Sequence, residues 1–451
     1  MTLPSGFKEQ LSFLNSVEFG ELNAALNGPA NASLRINPFK WHQPVQLEKV
    51  QWADHGHYLS ERPNFTCDPL LHAGTYYVQE ASSMVIGFIV ERLLSDLPER
   101  AVVLDLCAAP GGKSTDLAAR LRPGDLLLSN EVIRSRARVL KENVIKWGAP
   151  SHWVSSNDPE DFKQLPGLFD LILIDAPCSG EGLFRKDPNA KYEWSPEAVT
   201  HCQKRQQRIL ADAWECLAED GFLIYATCTY NQSENEAVLQ WLTTNHEATP
   251  ISMDVEVYGF RAFEQNGFPL YKAFHHLVKG EGFSFFVIQK KESVRCVISK
   301  GKRKKDHRKK RSVETYIQNP EGEGLVMDEV LYYIEDLSLR DLLAERLHLI
   351  RSGMRIGEYK KHKLVPDHEL AMSWQCGNTY PIIDLDYEQA IKYLKKEPFD
   401  LPVDEKGLNL LRYRQVNLGF VNHLGNRFNS LLPAGYRIHS QPCNAGDPKI
   451  I

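Results

Sequence analysis

Between about Ala73 and Lys291, short apolar runs alternate with amphipathic stretches, a pattern that predicts a parallel sheet covered by helices on both faces. The strand candidates are Val102–Cys107, Leu126–Glu131, His152–Ser156, Asp170–Asp175, Phe222–Cys228 and Phe283–Gln289. Helical spacing fills Lys113–Leu121, Arg134–Lys146, Pro196–Leu217 and Ser233–Thr243. Ahead of this core, a helical pattern over Phe7 to Leu26 and a strand-like Ser33 to Lys40 suggest a small α+β domain. Behind it, VNLGFVNHLGNRFNSLLPAGYRIH offers strand-like pieces cut by glycines, as in a small β-rich domain. The expected fold class is α/β, with a doubly wound Rossmann-like core over 73–292. An N-terminal domain over 1–72, a basic linker over 293–312 and a C-terminal region over 313–451 complete the expected division.

Length agrees with several domains, because 451 residues exceed what one core usually organises. Hydrophobic residues at 43% and charged ones at 25% are ordinary for a soluble globular chain. No apolar run is long enough to span a membrane, and the N-terminus shows no signal-peptide pattern. The nine cysteines include no CxxC pair, so neither a zinc site nor a disulfide framework is expected, and a reduced, cytoplasmic protein fits. The net charge of −5 does not suggest a nucleic-acid binder, but its distribution does. Lys300 to Arg311 reads KGKRKKDHRKKR, a block that suits a solvated linker, a phosphate-tracking arm, or both.

Candidate chemistry gathers at the strand ends, where open α/β sheets bind their ligands. The first strand runs into Cys107, Ala108, Ala109, Pro110, Gly111, Gly112 and Lys113, a loop whose glycines permit close backbone approach and which opens a helix. The second ends in Glu131, placed to accept from the hydroxyls of a ribose. The third ends in Asn157-Asp158, where a polar side chain can meet an adenine amine. Falling in order on successive strands, these residues describe a nucleoside pocket. The spacing of an NTPase phosphate loop is absent.

The fourth strand leads into Asp175-Ala176-Pro177-Cys178-Ser179-Gly180 and the fifth into Ala226-Thr227-Cys228-Thr229-Tyr230. Both cysteines therefore stand at the pocket's edge among polar and turn residues. Cys107, Cys202 and Cys216 read instead as small buried hydrophobes. From the residues alone either Cys178 or Cys228 can be a nucleophile. Adjacent His275-His276, read as strand, would point to opposite faces, so no metal is assigned. Arg185 and Lys186 suit phosphate contact or a solvated turn equally, and Trp194 and Trp214 read as core.

The pieces RINPFK (Arg35–Lys40), YYVQEASSM (Tyr76–Met84), LDLCAAPGGKS (Leu104–Ser114), DAPCSGEGLFRKDP (Asp175–Pro188) and ATCTYNQSENE (Ala226–Glu236) resemble the Nol–Nop–Sun family of RNA cytosine-C5 methyltransferases. The resemblance implies S-adenosylmethionine as cofactor, held by Cys107 to Lys113, Glu131, Asp158 and Asp175. It implies RNA as partner, 16S ribosomal RNA or the small ribosomal subunit, with the chain acting as a monomer. Cys228 becomes the nucleophile and Cys178 the group that assists product release. A thiolate is wanted because carbon 5 of cytosine is a poor nucleophile until a group has added to carbon 6. Asp175 would hold the pyrimidine edge with nitrogen 3 protonated. The tail resembles a PUA-like RNA-gripping domain, with Asn422-His423 where a lysine is expected. Two other classes are a DNA cytosine methyltransferase, which uses the cysteine after the fourth strand, and a non-catalytic RNA-binding protein with a vestigial pocket.

Overall fold

Apolar residues on both faces of a strand need cover on both sides, and the central strands have it. They are β1 (Val102–Asp105), β2 (Leu126–Asn130), β3 (His152–Ser155), β4 (Phe169–Asp175) and β5 (Leu217–Thr227), nearly all buried. The computed structural model describes residues 3–293, 309–401, 406–439, 443 and 446–451. These five strands run parallel in the order β5-β4-β1-β2-β3, so the order of connection reverses between β4 and β1. A crevice outside the carboxyl ends is the consequence. Antiparallel β6 (Phe283–Lys290) extends the sheet beyond β5.

Helices α1 (Gly112–Arg120), α2 (Arg134–Trp147), α3 (Pro196–Cys216) and α4 (Glu236–Asn245) lie between the strands, each within a few residues of its sequence expectation. The start of α3 is sharp because Pro196 pre-sets its first turn and the Ser195 side chain accepts from Ala198 N. Two apolar clusters cover the sheet, one around Val85, Ile89 and Phe285, the other around Trp153, Trp214 and Phe286.

The N-terminal helical pattern divides into Phe7–Gln10 and Ser16–Leu26, because Asn15 and Glu18 form a capping box that starts a second helix. A four-stranded antiparallel sheet follows, and its strand Ala32–Ile36 stops before the rest of RINPFK, which turns. That turn latches the domain to the core. Asn37 donates to Gly74 O and Trp147 O, while Lys40 Nζ donates to Ala73 O and Lys146 O. Lys40 thereby satisfies a carbonyl near the end of α2, and burial pulls its pKa down to about 7.

The C-terminal region departs from the sequence reading in three ways. First, Lys309–Arg311, the end of the basic block, forms a strand paired antiparallel with Glu323–Met327; Lys300 to Arg308 lie outside the described residues. Second, β7 (Leu349–Arg351) pairs antiparallel with β3 and covers that edge of the core sheet. Arg351 fixes it by an ion pair to Glu369 and by donating to His152 O, with both side chains buried. Third, the expectation of a reduced chain is corrected: Cys67 and Cys443 form a disulfide across 376 residues of sequence. No local spacing announces such a pair, because only docking of the tail on the N-terminal domain brings it together. Beyond these contacts, Ile382–Leu385, Gly407–Tyr413, Val416–His423 and Phe428–Ser430 make a separate four-stranded sheet. Among the described residues, no helix is long and apolar enough to cross a membrane.

Candidate active site

Register brings the strand ends level. Asp105 of β1 stands opposite Ser129 of β2 and Leu173 of β4, and Asp175 stands opposite Ala226 of β5. A cavity of about 700 Å³ opens over this edge, a size suited to a nucleoside ligand. One wall is the loop from Cys107 to Pro110 with Gly112 and Lys113. Gly111 does not line it. That residue instead makes the turn into α1, at φ +112°, where a Cβ would also lie 3.2 Å from Leu140 Cδ1. Behind the loop, Arg35 is buried and donates to Thr115 Oγ1 at 2.7 Å, to Gly112 O at 3.1 Å and to Gln79 Oε1 at 2.8 Å. The N-terminal domain thus props the first turn of α1.

Three of the carboxylates in the wall stand at the ends of β1, β2 and β3. Glu131 is buried, accepts from Ile133 N at 2.9 Å and meets Arg136 at 3.2 Å. Asp158 is more exposed, caps the turn that follows it and pairs with Arg208 at 2.9 Å. Its hydrogen bonds to Arg208 and to Glu160 N outweigh partial desolvation and lower its pKa. Asp105 is wholly buried; Oδ2 accepts from Ser114 Oγ at 2.6 Å, whereas Oδ1 has no partner. Burial pushes its pKa up to about 7. An unpartnered buried oxygen in the cavity wall is a place where a ligand's polar group restores the missing bond.

At the far end of the cavity lie the cysteines. Cys178 Sγ and Cys228 Sγ are 3.0 Å apart, both half-buried and both in the lining. The Cys228 sulfur beside it and burial together hold the Cys178 thiol well above its ordinary range. Asp175 Oδ2 accepts from Lys113 Nζ at 2.7 Å, which joins the loop after β1 to the cysteine end. Lys186, Arg136, Arg205 and Arg208 add positive charge around the opening.

Comparison with known proteins identifies this arrangement. A family described as 16S rRNA methyltransferase RsmB/F matches residues 93–285. The N-terminal domain of 16S rRNA methyltransferase RsmF matches 3–81, and the methyltransferase RsmF PUA domain matches 380–438. The chain belongs to the RsmB/F family of 16S rRNA methyltransferases. A ribosomal RNA small subunit methyltransferase F from Salmonella arizonae is 29% identical over 472 residues, covering 95% of each chain. Another, from Shewanella sp. strain MR-4, is 28% identical over 91% of this chain and 92% of its own. Among solved structures, a methyltransferase homologue from Pyrococcus horikoshii superposes at a TM-score of 0.52 with 26% identity, over 64% of this chain and all of that one.

As a family member the chain depends on S-adenosylmethionine, and the residues present fit it. Cys107 to Pro110, Gly112, Lys113, Glu131, Asp158 and Asp175 line one cavity, whereas Gly111, expected among them, does not. Other expectations are corrected. Arg185 is no phosphate ligand, because it is buried against Glu281 at 2.9 Å. Cys216 is buried, but Cys107 and Cys202 are only half so. His275 lies in a turn rather than a strand, bonded to Tyr230 and to Glu281. Sequence reading also missed Arg35 and Asp105 as supports of the cavity. Their signals were an arginine inside a strand-like run and an acid closing an apolar one.

Proposed function

We propose that this chain methylates carbon 5 of a cytosine in 16S ribosomal RNA through a covalent adduct on Cys228, with Cys178 assisting release. The observation that carries the reading is the 3.0 Å approach of the two sulfurs inside the cavity that the cofactor loop also lines. S-adenosylmethionine bound there supplies an electrophilic methyl group. The Cys228 thiolate adds to carbon 6, forming the S–C6 bond and moving an electron pair toward carbon 5, which takes the methyl. S-adenosylhomocysteine is the leaving group; carbon 5 then gives its proton to water, the C–H pair re-forms the C5–C6 double bond, and the S–C6 bond breaks with its pair returning to sulfur. Lys113 occupies Asp175 Oδ2, leaving Oδ1 for the pyrimidine edge. Glu131 takes the ribose hydroxyls, and Asp158 the adenine amine. The cations at the opening and the PUA domain hold the RNA backbone. Residues 1–72, 73–292, 293–312 and 313–451 act as N-terminal RNA-binding domain, methyltransferase core, basic linker and C-terminal region of a cytoplasmic monomer.

The rival assignment makes Cys178 the nucleophile. With the two sulfurs 3.0 Å apart in one cavity, placement serves either assignment, and the reaction itself has to separate them. The test is bisulfite sequencing of 16S ribosomal RNA methylated in vitro by the wild type and by Cys228→Ser. A single new protected cytosine with the wild type and none with the variant supports the reading. Protection by both removes Cys228 from the chemistry.

A further inference from the structure

Two acidic residues that no part of the reaction uses lie fully buried behind the cysteines. Glu181 belongs to the loop that carries Cys178, yet it binds the loop that carries Cys228. Its Oε2 accepts from Tyr230 N at 2.9 Å, from Asn231 N at 3.0 Å and from the Thr229 hydroxyl. Its Oε1 accepts from Asn231 Nδ2 at 3.0 Å and Trp194 Nε1 at 3.1 Å. Glu234 does the reverse. It follows Cys228 in the chain and accepts from Ser179 N at 3.0 Å and from the Ser179 hydroxyl, next to Cys178. Gln206 Nε2, at 2.8 Å from Glu234, also donates to Pro177 O at 3.0 Å and so anchors the Cys178 loop to α3.

Every one of these donors is neutral. A carboxylate placed in a dry interior is costly unless fixed donors replace its water, so two such groups tie their surroundings tightly. The ties are reciprocal: each cysteine's loop supplies a carboxylate to the backbone of the other. Gly182 N donating to Cys228 O at 2.9 Å adds a direct link. Neither loop can shift without breaking charge-assisted bonds to its neighbour.

We propose that Glu181 and Glu234 are positioning residues that lock Cys178 beside Cys228 after Cys228 has bonded to the base, and so determine the rate of product release. The inference rests on the reading of the two cysteines given above. Addition and methyl transfer proceed without Cys178. Elimination passes the carbon 5 proton to water, turns the C–H pair into the C5–C6 double bond and returns the S–C6 pair to Cys228 Sγ, and it is this step that needs Cys178 in place. Loosening the clasp therefore slows the second half of the reaction more than the first.

The test uses the full-length chain with 16S ribosomal RNA and labelled S-adenosylmethionine, in single turnover, for wild type, Glu181→Gln, Glu234→Gln, Ser179→Ala and Cys178→Ala. Denaturing electrophoresis gives the ratio of covalent adduct to free methylated RNA. S-adenosylhomocysteine affinity, measured by calorimetry, checks that each cavity is intact. The ratio should rise about tenfold in the two amide variants, the effect of losing one charge-assisted bond, and less in Ser179→Ala. Adding Glu234→Gln to Cys178→Ala should raise it no further, because both act at one step. A folded Glu234→Gln or Ser179→Ala with the wild-type ratio overturns the clasp, as does an equal fall in adduct and product. Ser179→Ala removes one hydroxyl only, so it decides the matter if the amide variants do not fold. Absence of adduct in Cys178→Ala overturns the reading of the cysteines first, and the clasp with it.

Discussion

Glu131, Asp158 and Asp175 in the cavity wall each meet a cation, whereas the carboxylates behind the cysteines meet neutral donors. Glu131 has Arg136 at 3.2 Å, Asp158 has Arg208 at 2.9 Å and Asp175 has Lys113 at 2.7 Å. Glu181 and Glu234 have backbone amides, hydroxyls, side-chain amides and an indole. The cations in the wall sit on long side chains; those of Arg136 and Arg208 are about half exposed, so they can turn to water when a ligand takes their place. Backbone donors cannot turn away. One end is built to exchange partners and the other to hold a distance.

The largest effect expected is on the cysteines themselves. Cys228→Ser should reduce methyl transfer to background and form no covalent species, because addition precedes everything else. Cys178→Ala should transfer methyl once and stall as an adduct that survives denaturing electrophoresis. The opposite pattern would exchange the two roles and break the comparison at its fixed end.

Next in size is a buried ion pair outside the cavity, which shows what a fixed carboxylate costs when its partner goes. Arg351→Ala leaves Glu369 buried without its cation and removes the donor to His152 O. A loss of about 3–5 kcal/mol in unfolding free energy is expected, read from the urea midpoint. Because Arg351 lies in β7, the variant should also loosen that edge of the core sheet, seen as faster amide exchange in β3. Unchanged stability would mean that the core stands without the C-terminal strand.

Much of this architecture was legible in sequence, for identifiable reasons. The parallel strands announced themselves because burial on both faces demands unbroken apolar runs, as in Leu171 to Ile174. The loop after β1, Glu131 and Asp158 were singled out because their order on successive strands is itself a signal, and they line one cavity. By contrast β7 was missed: three residues far along the chain carry no period, and only pairing with β3 makes them a strand. The partner of Cys67 was missed for the same reason of distance. Glu181 and Glu234 were read past because an acid in a polar segment looks solvated, and only the donors converging on it reveal that it is not. Arg185 misled in the same manner.

Of middle size is the effect of Glu131 on the cofactor. Glu131→Ala removes an acceptor from the cavity wall, and S-adenosylmethionine binding should weaken by about 1.5–3 kcal/mol, measured by calorimetry on the folded variant. The Arg136 guanidinium, about half exposed, can return to water, so little stability should be lost with it. Equal losses of affinity and stability would place Glu131 with the fixed carboxylates rather than the exchangeable ones.

The smallest effect is the most pointed test of exchange. Arg208 and Asp158 pair at 2.9 Å with about half of each side chain exposed, so water screens the pair and Arg208→Ala should change stability by only about 0–1 kcal/mol. If Asp158 serves the adenine amine, Arg208 competes with the ligand for the same oxygens, and removing it leaves them free. Cofactor affinity should then stay level or tighten slightly in Arg208→Ala, while Asp158→Ala weakens it. Calorimetry on the two variants at one salt concentration separates the cases, since the ion pair alone is sensitive to screening. A weakening in Arg208→Ala as large as that in Asp158→Ala would show that the pair acts as a unit, holding the end of β3 in place, and that Asp158 does not exchange its partner at all.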